Sequence, residues 1–96
     1  ELELNHQRIR RIDNLEPLTC VERLYLRWNL IKKIENLDTL TTLKELELYD
    51  NQITTLENLS SLLEKLFLCT NKITKIQNLS HLKNLTLLEL GDNKLR

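Results

Sequence analysis

One leucine pattern recurs along the whole chain and limits what it can fold into. Over residues 43–62 it reads L-x-x-L-x-L-x-x-N-x-I-x-x-L-x-N-L-x-x-L. Copies of the pattern are spaced by twenty-two residues, apart from one step of twenty that precedes Leu66. Units this short bury too little alone, so they must stack on their neighbours. The asparagine after each L-x-L recurs at Asn29, Asn51, Asn71 and Asn93, with Gln7 in the first copy.

The spacing of leucines and asparagine is that of a leucine-rich repeat. Its L-x-L segment alternates like a short strand whose leucines point inward. We predict an α/β repeat fold, a right-handed solenoid with a parallel sheet on its concave side and short 3₁₀ or irregular segments on its convex side. The chain then forms a single uncapped array, 1–96, of about four and a half repeats, 1–20, 21–42, 43–62, 63–84 and 85–96.

Amide side chains mark both bends of the predicted repeat. The asparagine after each strand can satisfy backbone groups that the bend leaves unpaired, and the longer Gln7 predicts a first turn that is looser or differently capped. Each return segment begins with an asparagine that we interpret as an N-cap, and apolar residues follow it at a spacing of three. This spacing favours a single 3₁₀ turn. These predicted caps are Asn14, Asn36, Asn58 and Asn78.

Bulk properties narrow the function classes. The chain has 14 basic and 14 acidic residues, so no net field draws it to nucleic acid or to an acidic membrane. Its apolar runs are too short to cross a bilayer, and it has no signal peptide. Cys20 and Cys69 occupy different repeat positions, which favours reduced thiols in an intracellular protein. Because neither end carries a polar cap, we expect a piece of a longer protein.

The outward strand positions form a grid that carries every tyrosine, tryptophan and phenylalanine of the chain. Its central column alternates acid and aromatic as Glu3, Tyr25, Glu47, Phe67 and Glu89. One interpretation is strand propensity with packing between neighbouring rings. The other, which we prefer, is an exposed aromatic patch rimmed by acids, which has the composition of a protein-binding hot spot. The predicted partner-binding residues are Tyr25, Trp28, Glu47, Tyr49, Asp50, Phe67, Glu89 and Asp92.

Basic residues follow the asparagine in four of the five turns. Such a stripe can track a phosphate backbone, but the third turn interrupts it with Gln52, Thr54 and Thr55, and no aromatic is interleaved. A solvated edge is therefore the preferred interpretation, and nucleic acid is not a favoured partner. The stripe consists of Arg8, Arg10, Arg11, Lys32, Lys33, Lys72, Lys75, Lys94 and Arg96.

Residues that support catalysis are not grouped in the sequence. His6 and His81 lie in different repeats without cysteine or carboxylate at metal-ligand spacing. No base is placed to activate a serine, and the single glycine, Gly91, is too few for a loop that cradles phosphate. The prediction is a non-enzymatic chain with no cofactor, no metal, no small-molecule substrate and no membrane contact.

Three stretches, 26–32, 48–53 and 88–93, resemble the N-terminal repeats of the leucine-rich-repeat regulatory subunits of protein phosphatase 1, within the 22-residue intracellular class. Relative to that family, a whole repeat is absent around residues 61–66, together with its outward acid. The resemblance implies a nuclear and cytoplasmic regulator whose concave face binds the phosphatase catalytic subunit. On matching positions it implies contacts from Phe67 and Glu89, with Glu47 and Tyr49 nearby.

Three hypotheses for function follow. The first is a non-catalytic module that binds a protein phosphatase 1 catalytic subunit through its concave face. The second is a structural scaffold of cilia, centrosomes or microtubules, a role that the same repeat class plays in other proteins. The third and weakest is a ribonucleoprotein component that uses the basic stripe.

Overall fold

The structure, a computed structural model that describes residues 1–95, contains five short strands and no helix in that range. All five belong to one sheet with the order β1-β2-β3-β4-β5, and every neighbouring pair is parallel. This confirms the predicted repeat fold with its parallel sheet. The strands are β1 (Leu2–Glu3), β2 (Arg23–Tyr25), β3 (Glu45–Glu47), β4 (Lys65–Phe67) and β5 (Leu87–Glu89).

Strand register follows the leucine pattern. Leu24 is aligned with Leu46, and Leu46 with Leu66, so each inward leucine lies above its equivalent in the next row. Hydrogen bonds between rows continue past the strands, where the Leu26 N–H donates to the Glu47 carbonyl at 2.8 Å and the Leu48 N–H to the Phe67 carbonyl at 2.8 Å. A shift by one residue would turn every leucine outward, which is why burial fixes the register.

The core is a stack of leucines and isoleucines from the repeating frame. None of the four large aromatic residues belongs to it, as predicted. Burial is incomplete towards the last row, where Leu88 and Leu90 are half-buried and Ile76 is 61% exposed. Periodicity alone did not indicate this exposure of Ile76, which arises because residues up to 95 provide no further return segment to cover it.

The asparagine after each strand bonds to backbone groups of its own row and of the preceding one, as predicted, and Asn29, Asn51 and Asn71 are buried. Asn51 is 7% exposed, and its Oδ1 accepts the Ile31 N–H at 3.1 Å. Its Nδ2 donates to the carbonyls of Leu26 and Leu48 at 2.9 and 2.8 Å. In the first described row, Gln7 instead donates to the Asn5 carbonyl within its own turn at 3.1 Å. We call Asn29, Asn51, Asn71 and Asn93 the asparagine ladder.

The convex segments consist of single turns. In the second row the Leu40 N–H donates to the Leu37 carbonyl at 3.1 Å, a 3₁₀-type bond that is not extended into a helix. The predicted N-caps are wrong: Asn36 has a φ of 59°, and its Nδ2 donates back to the Ile12 carbonyl at 2.7 Å. Asn58 repeats this geometry on the Ile34 carbonyl at 2.7 Å. Asparagine tolerates the left-handed conformation better than most residues, which explains its recurrence here.

The third row is shorter by two residues, and its convex side is rearranged. Leu63 takes the buried position before the strand, whereas Leu62 is pushed outward and is 47% exposed. The Leu63 N–H bonds to the Ser60 carbonyl at 3.2 Å, so the turn starts one residue later than in the second row. A depression of about 340 Å³ remains between the two rows, lined by residues that include Leu40, Leu59 and Leu62.

Candidate functional site

Five rows of the sheet carry one outward column across the concave face. The register aligns Glu3 with Tyr25, Tyr25 with Glu47, Glu47 with Phe67, and Phe67 with Glu89. Tyr25, Glu47 and Phe67 are half-buried, while Glu3 and Glu89 are exposed. The alternating column predicted from the sequence is thus present, with neighbouring rows about 4.8 Å apart.

One position of each turn adopts the left-handed conformation. It lies immediately before the asparagine ladder, or before Gln7 in the first row, and is occupied by His6, Trp28, Asp50, Thr70 and Asp92, with φ between 53 and 60°. Aspartate suits this conformation, whereas a bulky residue is unfavourable there. Trp28 nevertheless occupies it with 40% of its surface exposed. A strained, exposed aromatic residue is an observation that points towards function.

The ring of Trp28 contacts aromatic residues in the rows on both sides. Its centroid lies 4.5 Å from that of His6, with an angle of 5° between the planes. The Tyr49 ring meets it edge-on, at 5.3 Å between centroids and 70° between the planes. Both geometries are favourable for aromatic pairs. Packing between neighbouring rings was one of the two interpretations of the outward grid, and it occurs between Trp28 and both His6 and Tyr49.

Arg27 lies at the centre of this group and is not among the predicted partner-binding residues. Its guanidinium carbon is 5.5 Å from the Tyr25 ring centroid, 5.4 Å from that of Trp28 and 5.7 Å from that of Tyr49. These distances are within the range of cation–π attraction. We call the three rings the aromatic box. One signal in the sequence could have identified Arg27. It shares an outward column with Tyr49, and that column lies between the positions of Tyr25 and Trp28.

Glu47 is the carboxylate next to this cation. Its Oε1 lies 3.4 Å from the Nε of Arg27, and its side chain is 16% exposed. Burial raises the pKa of Glu47 to about 7, a side-chain hydrogen bond with Glu45 acts in the same direction, and the charge of Arg27 opposes them. Partial burial and the carboxylate of Glu45 also raise the pKa of Tyr25. In the N-terminal part of the face, the guanidinium group of Arg27 is thus surrounded by three aromatic rings and the carboxyl group of Glu47.

The remaining predicted residues lie apart from the box. Phe67 is half-buried on β4, and Glu89 and Asp92 are exposed in the last row. The positions beside them carry Cys69 and Gly91, and a Cβ at Gly91 would lie 3.8 Å from the Cys69 Sγ. Small side chains leave this part of the face open. The structure therefore divides the predicted site into two groups, and Asp50 lies exposed at the turn of the middle row.

Charges outside this face form few contacts. Between residues 1 and 95 the structure has two ion pairs, one of which joins Arg11 to Glu35 at 3.6 Å and the other Arg27 to Glu47. The basic stripe therefore remains largely unpaired within this range, and its last member, Arg96, lies outside the described residues. Neither pair joins the opposite charges of Arg23, Glu45 and Lys65, which the register aligns on neighbouring strands.

In the described part of the chain, no group of three or more histidine, cysteine, aspartate or glutamate side chains is arranged to hold a metal ion. No helix within residues 1–95 is long and apolar enough to cross a membrane.

Solved structures similar to this chain contain leucine-rich repeats. The leucine-rich-repeat domain of APL1B matches with a TM-score of 0.88 and 23% identity, and the match covers 98% of this chain and 32% of that one. An internalin from Listeria monocytogenes matches with a TM-score of 0.78 and 32% identity over 92% of this chain and 26% of that one. The chain thus spans about a third or less of these proteins. No protein-family model and no curated protein sequence matches it.

These neighbours agree with the five-stranded parallel sheet of this chain. Solenoids of this kind present an extended concave surface to other proteins, and this chain has its aromatic residues on that surface. The fold is therefore that of a leucine-rich-repeat protein, an architecture that typically serves as a non-catalytic module for binding other proteins.

Proposed function

We propose that the chain is a non-catalytic module that binds a protein phosphatase 1 catalytic subunit through its concave face. The module then acts inside the cell, in the nucleus and cytoplasm, as a regulatory subunit. Its contact residues are Tyr25, Trp28, Glu47, Tyr49, Asp50, Phe67, Glu89 and Asp92.

The observation that carries this proposal is the aligned column of acids and aromatics. Phe67 and Glu89 lie side by side in adjacent rows, on the part of the face where small neighbours leave access. They are also the positions where the sequence resemblance implies phosphatase contacts. An apolar ring beside an exposed carboxylate suits a partner surface that combines an apolar patch with a basic group.

Capture of the purified catalytic subunit on the immobilised chain tests the proposal. We expect Phe67→Ala and Glu89→Ala to reduce recovery at least about tenfold each, because buried aromatic anchors and their charged neighbours dominate interface energies. Matched controls are Leu62→Ala and Glu57→Ala, which truncate an apolar and an acidic residue of the return segments. Both should recover the phosphatase as the parent does.

Equal recovery by all four variants would contradict the assignment to the concave face. Failure of the parent to capture the phosphatase, together with binding to tubulin or axonemal proteins, would instead favour the scaffold role. Circular dichroism of each variant verifies that any loss of recovery reflects the surface and not unfolding.

A further inference from the structure

The aromatic box holds a cation that the chain itself supplies. Three ring centroids lie 5.4 to 5.7 Å from the guanidinium carbon of Arg27, and Glu47 lies next to its Nε. Rings that surround a charge in this way attract it through their negative faces, and an adjacent carboxylate adds to the attraction. The same geometry suits any guanidinium or ammonium group of similar size.

The surroundings of the box favour positive charge. Glu1, Glu45 and Glu47 all act on the Tyr25 hydroxyl in the direction of a raised pKa, which requires that their charges reach this part of the face. Arg23 acts in the opposite direction but ranks last among these influences. A carboxylate from a partner would meet the repulsion of this acidic group, whereas a cation would be drawn to it.

Arg27 is an incomplete occupant of the box. Its Nε is sealed from solvent and has no hydrogen-bond acceptor, because Glu47 at 3.4 Å lies outside good hydrogen-bond geometry. An arginine side chain cannot shed its proton, so this buried donor remains charged and unsatisfied. Since 28% of the Arg27 side chain is already exposed, it can rotate towards solvent without breaking a hydrogen bond at Nε.

We propose that the aromatic box is a binding site for a cationic side chain of a protein partner, an arginine, a lysine or a methylated lysine. Arg27 occupies this site in the free protein and leaves it when the partner's cation enters. The inference rests on the proposed function, because it assigns a chemical class to the partner group that the concave face receives. A consequence of this assignment is that Arg27 competes with the partner's cation for the aromatic box.

Small cations test the box without any protein partner. Trp28 is the only tryptophan of the chain, so its fluorescence reports on the box alone. We titrate the 96-residue chain with tetramethylammonium chloride and, separately, with methylguanidinium chloride, at about pH 9 so that Glu47 is ionised and at ionic strength held constant with sodium chloride. Arg27→Ala should bind both cations at least about tenfold more tightly than the parent, because the internal competitor is gone.

Two further measurements test whether the gain in cation affinity depends on the charge of the ligand and on the carboxylate of Glu47. tert-Butanol, a neutral analogue of tetramethylammonium, should bind Arg27→Ala and the parent equally weakly. Combining Arg27→Ala with Glu47→Gln should remove most of the gain, because the carboxylate behind the rings is lost. If Arg27→Ala does not fold, Arg27→Gln retains a side chain of similar length without the charge and should show the same direction of change.

An Arg27→Ala chain that binds the cations no more tightly than the parent would overturn the inference, and so would an Arg27→Ala chain that binds tert-butanol as tightly as it binds tetramethylammonium. The phosphatase experiment separates the two proposals. A gain in cation binding without phosphatase capture retains the box and rejects that partner. Phosphatase capture without a gain in cation binding rejects the box alone.

Discussion

The two parts of the concave face differ in how far their side chains contact each other. In the N-terminal rows the aromatic box encloses Arg27, and Glu47 lies beside it. In the C-terminal rows Phe67 and Glu89 lie next to small residues such as Gly91, and the surface is open. Under the two proposals, Arg27 has to leave the first part before a partner cation enters, whereas the second part needs no such displacement.

The backbone beneath both parts is the same. Trp28 in the N-terminal part and Thr70 in the C-terminal part have φ of 56 and 59°, and each precedes a buried asparagine of the ladder. At the strands and the turns that follow them, the difference between the two parts therefore lies in the outward side chains. In a solenoid, surface chemistry can change from row to row while the frame remains constant, because each row needs only its neighbours for burial.

The largest expected effect tests whether the frame is indeed common to both parts. Asn29→Ala and Asn71→Ala should each lower the free energy of unfolding by about 3 kcal/mol, since buried carbonyls and N–H groups lose their partners. The Asn29 amide bonds the Leu4 and Leu26 carbonyls, and that of Asn71 bonds the Leu48 and Leu68 carbonyls. Urea unfolding measures both losses.

The control for these two variants is Asn93→Ala, at the ladder position of the last row. The Asn93 side chain makes equivalent bonds but is partly exposed, so water can replace them and the loss should be smaller. If the losses of unfolding free energy in Asn29→Ala and Asn71→Ala differ by more than about 1.5 kcal/mol, the two parts do not share the same backbone frame.

Sequence periodicity predicted the sheet, the register and the ladder because each depends on residues that recur. It failed where a row lacks its neighbour or is shortened, as Ile76 and Leu62 show by their exposure. It also failed to identify Arg27, whose importance comes from three rings in two rows and not from any repeated spacing. The individual geometry of a surface cluster depends on rotamers, which periodicity does not specify.

A second effect, of intermediate size, tests the electrostatic difference between the N-terminal and C-terminal parts of the face. The pKa of Glu47 is about 7 in the folded chain against an ordinary value of 4.5, so folding favours the protonated carboxyl. The protonated Glu47 stabilises the folded chain fully at pH values below the pKa of Glu47 in the unfolded state. This stabilisation is lost as the pH rises through the pKa of Glu47 in the folded state. The parent should therefore lose on the order of 1 kcal/mol between about pH 5 and about pH 8, after allowance for solvent screening.

Glu47→Gln removes this titration, so its stability relative to the parent should improve as the pH rises. Thermal or urea unfolding of both chains across that range gives the difference directly. Glu89→Gln is the matched control, because it changes an exposed acid of the same column in the open part of the face. A relative stability of Glu47→Gln that stays constant with pH would show that burial does not favour the protonated form of Glu47.

The smallest effect concerns the left-handed position, where the two parts should respond with opposite signs. Thr70→Asn places a residue that tolerates this conformation at an exposed site and should stabilise the chain by about 0.5 kcal/mol. Trp28→Asn relieves similar strain but removes the stack on His6, the edge contact with Tyr49 and one wall around Arg27. A net loss of about 1 kcal/mol is expected there. Parallel urea titrations decide the matter, and stabilisation by both substitutions would mean that the ring contacts of Trp28 add nothing to the folded state.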